Sequence, residues 1–294
     1  MTAFALATRP ARLSMRRFAM QATLRFRFFI FGLLPFFSAC SSLNDIQQGG
    51  PYAPEPIVDH CAVGCPAGGS ALTINRAAYS LNNNGETKFA NWVAYRITKD
   101  TPASGRPRNW RVDPDIPEGQ TLVPKDYTGA SVALKVDRGH QANLASMGGV
   151  ADWETLNYLS NITPQKSELN QGAWAALEDR ERSLSKRADV DEVHVLTGPL
   201  YERYIGTLPG TATPHTIPSG YWKIIFVGTT PEAGLYAAFI MQQETPRGAS
   251  YCSSQTTVDE IEKRAGLTVW SNLPTSVQAS LKSRPGHLAA TIGC

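Results

Sequence analysis

The 294-residue sequence has no Gly-x-Ser-x-Gly, no phosphate-loop lysine motif and no His-Glu-x-x-His. Serine-hydrolase, nucleoside-triphosphatase and zinc-protease chemistries each need one of these arrangements, so none of the three has an anchor here. Long apolar runs are missing too: the stretch at residues 28–37 is too short for the ~20 residues with which a helix crosses a bilayer. Acidic residues are absent from the first 39 positions, which hold six of the 28 basic residues: Arg9, Arg12, Arg16, Arg17, Arg25 and Arg27. Positions 40–294 are left with 22 basic against 25 acidic side chains. A global positive field that would draw in polyanions is therefore lacking, and any attraction to phosphate has to be local.

What is there suits one folded body behind an export segment. Hydrophobic residues make up 42% and charged residues 18% of the chain, a globular composition able to bury a large core. The basic start followed by a short apolar run reads as a signal peptide over residues 1–39. Ser38-Ala39-Cys40 resembles a lipoprotein processing site with Phe37 where leucine is usual, which leaves two expectations side by side: a lipid on Cys40 that anchors the chain in the cell envelope, or simple secretion. Residues 40–60, rich in Ser, Gln, Gly and Pro, read as a flexible tether, and 61–294 as a single domain. Cys61, Cys65, Cys252 and Cys294 are an even set in an exported chain and favour two disulfides. The short 61–65 loop suggests a local bridge, although sequence alone permits three pairings. A zinc site is the weaker reading, because Cys-x3-Cys has no second ligand pair nearby.

Residues 99–129 are dense in Pro, Gly and Asp and read as a long surface excursion, with Arg108 inside it. Residues 92–97, 132–136, 158–162, 193–197, 221–227 and 235–242 read as strands from β-branched and aromatic content. Leu169, Ala173, Leu177 and Leu184 recur at helical spacing, and Thr257-x-x-Glu260 resembles a capping box opening another helix. Strands mixed irregularly with helices, without a βαβ rhythm, predict an α+β fold with a mixed, largely antiparallel sheet.

The chemistry concentrates between residues 137 and 182. The strand at 132–136 is expected to deliver Asp137-Arg138-Gly139-His140 to its end, aiming His140 away from the core, where a neutral imidazole can take a proton from water. Asp137 is expected to fix the imidazole tautomer or the turn. Asn170, Trp174 and Glu178 fall at steps of four on one side of a helix. Mg2+ keeps most of its waters and takes one or two protein ligands, so a lone amide oxygen at Asn170 suffices. Glu178, about 12 Å further along at ~1.5 Å per residue, suits the orientation of waters around the ion rather than direct ligation. Arg108, Arg138 and Arg182 are candidates to neutralise a phosphorane-like transition state, and Asn161 to position a turn or an arginine. Taken singly, each has a plainer explanation: a structural histidine, a helix cap at Asn170, an exposed ion pair between Glu178 and Arg182. The grouping of base, amide ligand and arginines favours phosphodiester hydrolysis.

The runs Asp137-Arg138-Gly139-His140-Gln141, Asn157 to Lys166, Leu169 to Trp174, Thr197 to Tyr201 and Asp259 to Arg264 resemble the DNA/RNA non-specific endonucleases, and the likeness extends from about Cys61 to Cys294. It implies a ββα-metal core in a mixed α/β domain, and cleavage of single- and double-stranded DNA and RNA to 5′-phosphate products. It also implies His140 as general base, Asn170 as the direct ligand of one Mg2+, for which Mn2+ is a candidate substitute, and Glu178 as organiser of the surrounding waters. Arg108, Arg138 and Arg182 become substrate or transition-state contacts, Asn161 a supporting residue, and 61–65 and 252–294 the bridges. A homodimer is implied as well. One departure falls inside the motif: Asn143 stands where the family often has proline. The rival readings are a lipoprotein that captures DNA without cutting it and a phosphodiesterase for small substrates.

Overall fold

The computed structural model describes residues 59–294, apart from Ala62 and Thr213. The signal segment, Cys40 and the tether up to residue 58 lie outside the described residues. In chain order the strands are β1 (Thr73–Asn75), β2 (Ser80–Asn83), β3 (Ala90–Ile97), β4 (Val136–His140), β5 (Ile162–Lys166), β6 (Val193–Leu200), β7 (Gly220–Val227), β8 (Leu235–Gln242) and β9 (Gln255–Thr256). The helices are α1 (Ala130–Leu134), α2 (Leu144–Met147), α3 (Ser167–Asn170), α4 (Ala173–Leu184), α5 (Val258–Ala265), α6 (Thr275–Lys282) and α7 (Leu288–Thr291).

Seven strands make one antiparallel sheet in the order β1-β2-β3-β6-β7-β8-β9, and β4 pairs with β5 in a separate antiparallel ribbon. The α+β expectation holds. Both faces of the large sheet are covered, which is why its central strands read as continuous apolar runs rather than clean alternation. Along β7, Tyr221 and Ile225 enter one core with Leu169, Trp174 and Leu177, whereas Trp222, Ile224 and Phe226 enter the other with Val258, Ile261 and Trp270. A third cluster, including Leu122, Tyr127, Val136 and Ile162, underlies the β4–β5 ribbon.

Three local expectations are corrected. Residues 130–134 form helix α1, not a strand, and the strand begins at Val136. The alternating Val132 and Leu134 do not mark a buried face: Val132 is 88% exposed. Lys135, at φ 54°, terminates the helix in the left-handed region. Asp137 to His140 are thus part of the strand itself rather than its sequel. Residues 158–161 are largely 3-10 turns, and the strand runs on through Thr163-Pro164-Gln165. Pro164 is tolerated because β5 pairs only with β4. The helix expected across Leu169 to Leu184 is broken at Gln171-Gly172. A Cβ on Gly172 would collide with the carbonyl oxygens of Glu168 and Arg247, so only glycine allows the chain to turn this tightly from α3 into α4.

The long excursion is held at both ends. Arg76 Nη2 pairs with Asp113 at 2.5 Å and Asp115 at 2.8 Å, and Ser160 Oγ donates to Asp113. Arg106 donates to the Gly148 carbonyl at 2.7 Å and lies over the Trp153 ring. Arg108 and Trp110 therefore sit on a loop fixed by buried charge pairing. Thr257 accepts from Glu260 N and opens α5, as the capping pattern predicts. Cys61–Cys65 and Cys252–Cys294 are disulfides; the second ties Cys294 to the turn before β9. Replacing Cys252 and Cys294 together by serine should lower unfolding stability by about 2–4 kcal/mol, read by urea denaturation. An unchanged midpoint would show that this segment is held by α7 packing alone.

Candidate active site

Arg108, Arg138, His140, Asn170 and Glu178 line one open cleft of about 590 Å³. Arg182 reaches its edge through Asn143 and Ser146. Asn161 lies beneath, fully buried. None of the other four histidines lines the cleft.

The β4–β5 ribbon carries Arg138 and His140, and a Cβ on Gly139 would meet Gln165 Oε1 at 2.6 Å, so glycine lets the two strands close at the motif. Immediately after His140 the chain is fastened by Asn161. Its Oδ1 accepts from Ala142 N at 2.8 Å, and its Nδ2 donates to the Ala142 and Leu156 carbonyls at 3.1 and 3.0 Å. It fixes the turn and does not touch an arginine through these bonds.

His140 Nε2 lies 3.3 Å from Asn157 Oδ1. Asn157 Nδ2 donates to the Pro107 carbonyl at 3.1 Å, which commits its oxygen to the imidazole. An acceptor at that point requires the proton on Nε2 and leaves Nδ1 with a free lone pair. Burial pushes the imidazole down to about 4, against the Asn157 bond and aided by the Arg108 charge. His140 is neutral at neutral pH, the form a general base needs. The Trp110 ring packs 5.4 Å from the imidazole. Arg138 is sandwiched near Trp110 and Tyr127, 5.5 and 5.0 Å from the ring centres, and donates to the Pro124 carbonyl at 3.3 Å. Its stem is thus fixed while other N–H groups stay available to an anion.

Asp137 makes no bond to His140 of the kind expected. Its carboxylate instead collects Ser167 Oγ at 2.8 Å, Asn170 Nδ2 at 2.9 Å and Gln171 Nε2 at 2.8 Å. With the NH2 of Asn170 committed to Asp137, the carbonyl oxygen at the opposite end of the amide faces away from that carboxylate. A hard, neutral oxygen in a cleft that also holds Glu178 fits Mg2+, which takes few protein ligands. Among the described residues no group of three or more His, Cys, Asp or Glu side chains is placed to hold a metal. A caged ion such as structural zinc therefore has no counterpart there.

Glu178 is buried, not the exposed partner of Arg182 that a plain helix surface would give. It accepts from Asn143 Nδ2 at 2.6 Å and faces Lys223 Nζ at 3.7 Å. Burial pushes its carboxyl up to about 7, opposed first by Lys223. Lys223, wholly buried on β7, pairs with Glu181 at 2.8 Å and lies 4.4 Å from the Trp174 ring centre. Asn170 and Glu178 sit on separate helices, while Trp174 between them turns into the core.

Sequence reasoning missed Asn157, Trp110 and Lys223. Lys223 was visible as a lone charge inside the apolar run from Tyr221 to Val227; Asn157 stood at the head of a family-like run without a role, and Trp110 left no signal, because both act through the folded excursion. Lys223→Met should cost about 3–5 kcal/mol by leaving Glu181 and Glu178 buried without a cation, and adding Glu181→Gln should recover part of the loss in urea unfolding. An undiminished midpoint for the single variant would contradict the buried pairing. The imidazole also makes a pH prediction. Between about 4 and about 6.5 the unfolded chain binds a proton at His140 that the native chain refuses, so stability falls as pH drops through that window. His140→Gln lacks this term, so its melting temperature should decline less than that of the wild type from pH 7 to 4; parallel curves would contradict the assignment.

Comparison with known proteins identifies the family. Residues 58–276 match the DNA/RNA non-specific endonuclease family. The chain is 65% identical over 238 residues to a nuclease of Serratia marcescens, covering 81% of this chain and 90% of that protein. It is 27% identical to a nuclease of Nostoc sp., covering 76% and 85%. A chain in the crystal structure of the EndoG/EndoGI complex superposes with a TM-score of 0.65 at 22% identity, covering 76% of this chain and 94% of that one, and shares the fold. The chain belongs to the DNA/RNA non-specific endonuclease family and is a phosphodiester hydrolase.

Proposed function

We propose that the chain hydrolyses DNA and RNA, single- and double-stranded, to 5′-phosphate products, with His140 as general base and one Mg2+ held through the Asn170 oxygen. The observation that carries this reading is the opening of a neutral imidazole and an oriented amide oxygen onto one cleft whose wall also carries Arg138.

His140 Nδ1 takes a proton from the attacking water, whose oxygen bonds to phosphorus as the bond to the 3′ oxygen breaks. The proton is held on the imidazole and stabilised by the Nε2–H bond to Asn157. The 3′ oxygen leaves as a hydroxyl after protonation from solvent. Arg138, with Arg108 in the same cleft and Arg182 at its edge, neutralises charge that builds on the phosphoryl oxygens. Glu178 orders the waters around the ion. Mg2+, when bound, supplies Lewis-acid stabilisation of the phosphoryl and leaving oxygens. Contacts to backbone phosphates carry little base information, which suits weak sequence preference; action on both sugars requires that no contact depend on the 2′-hydroxyl.

The N-terminal segment and the two disulfides support export, either released or lipid-anchored through Cys40; mass analysis of the mature N-terminus separates the two. The homodimer implied by the family likeness is read by sedimentation.

The test is degradation of plasmid DNA and of RNA in Mg2+ by the chain starting at Ser41. His140→Ala and Asn170→Ala should each reduce kcat by at least about 100-fold, the scale of lost general-base or electrostatic catalysis. Undiminished cutting by either variant would refute its role. A gel shift without nicking by the unaltered chain would favour capture over cleavage, and a preference for a bis-aryl phosphate ester over long DNA a small-substrate enzyme.

A further inference from the structure

Asn143 is the chain's departure inside its motif, and its side chain lies between the two charged groups of α4 that the mechanism uses. Its Nδ2 donates to Glu178 Oε2 at 2.6 Å, and its Oδ1 accepts from Arg182 Nη1 at 2.9 Å. The same Oδ1 accepts from Ser146 N at 2.8 Å and from Ser146 Oγ at 3.1 Å, while Arg182 Nη1 also donates to Ser146 Oγ at 3.1 Å. The orientation of the amide is forced by its partners. A guanidinium only donates, so it must meet the oxygen, which leaves the amide nitrogen to donate to the Glu178 carboxyl oxygen. Arg182 takes its carboxylate partner from Asp179, one helical turn back, rather than from Glu178.

We infer that Asn143 is a positioning residue that holds Glu178 and Arg182 in register with the cleft by bridging them through one amide, and keeps them from closing on each other as an ion pair. The inference rests on the function proposed above for Glu178 and Arg182. The backbone at Asn143 has φ −69°, within the range that proline adopts. That torsion is one proline can adopt, so the gain of asparagine lies in its side chain. Proline offers neither the donor for Glu178 nor the acceptor for Arg182, so a chain with proline here must join these groups in some other way. Asn143 also caps α2 through Ser146 N, a purely structural task that a test has to separate from the bridge.

Asn143→Asp makes that separation, because aspartate caps a helix and accepts from arginine as well as asparagine does, yet cannot donate to Glu178. The experiment is a double-mutant cycle of Asn143→Asp and Asn143→Ala with Glu178→Gln, read in two ways: urea unfolding of the metal-free protein, and kcat and KM for DNA in Mg2+. Asn143→Asp should lower kcat by at least about tenfold, from the lost donor and the carboxylate it sets against Glu178, and Asn143→Ala, which also removes the Arg182 acceptor, by a comparable or larger factor, with KM within about twofold of the wild type. In the Glu178→Gln background Asn143→Asp should lower kcat no further, whereas Asn143→Ala should keep the part of its loss that comes from Arg182, whose acceptor it removes. Metal-free stability should also be non-additive when Asn143→Asp and Glu178→Gln are combined, since the new amide can donate to the new carboxylate and restore the contact with donor and acceptor exchanged.

Additive losses of Asn143→Asp and Glu178→Gln in both readouts would overturn the inference. Coupling in stability with additive losses in kcat would also overturn it, reducing Asn143 to a fold contact. Full activity in Glu178→Gln itself would instead refute the role given to Glu178, and it is visible before any variant of Asn143 is made.

Discussion

The Asp137 carboxylate is the joint on which the site depends. It belongs to β4, immediately before Arg138-Gly139-His140, and its three side-chain partners, Ser167, Asn170 and Gln171, all lie in α3 and the turn after it. One carboxylate therefore fixes the strand that carries His140 against the short helix that carries Asn170. Hydrogen bonds to a charged acceptor are about twice as strong as neutral ones, and three of them converge here. The carboxylate also decides which end of the Asn170 amide is available.

A second constraint sits behind the first. Lys223 rises from the centre of the large sheet into an interior containing Glu178, Glu181, Tyr95 and Trp174. Burial raises the Glu178 carboxyl toward neutrality, and the lysine works against that shift. Glu178 thus occupies a position where its charge is sensitive to anything placed nearby, a cation in the cleft included. His140 shows the opposite balance: burial favours its neutral form, and Asn157 selects the tautomer. His140 and Glu178 are set by different walls of one cleft, the first beside the pinned excursion and the second beside the sheet.

Much of this was legible in the sequence because the chemistry is local. Arg138 and His140 are two residues apart, Asn170 and Glu178 eight, and the capping pattern at Thr257 and the strand at Leu235–Gln242 follow from short-range rules. The failures share a cause. Val132 and Leu134 alternate like a strand, but Lys135 in the left-handed region stops a short helix, and the exposed Val132 faces no core. Leu169 to Leu184 keeps helical spacing across Gly172, where the helix breaks and a Cβ would meet the carbonyls of both Glu168 and distant Arg247. Asp137 reads as a partner for its sequence neighbour His140, yet finds donors 30 or more positions away. In the second and third cases the decisive contacts come from residues far along the chain, where spacing and propensity do not register them.

The central claim is that the imidazole at 140 and the carbonyl oxygen at 170 serve the same phosphate. It is tested most directly by crystals of His140→Ala protein with a short DNA duplex and Mn2+, using anomalous scattering to locate the ion. The account predicts a single peak at inner-sphere distance from Asn170 Oδ1, roughly 2.0–2.2 Å for a hard cation and oxygen, with a backbone phosphate between that ion and residue 140. An ion bound by Asp137 or Glu178 without Asn170, or a phosphate lying away from position 140, would contradict it.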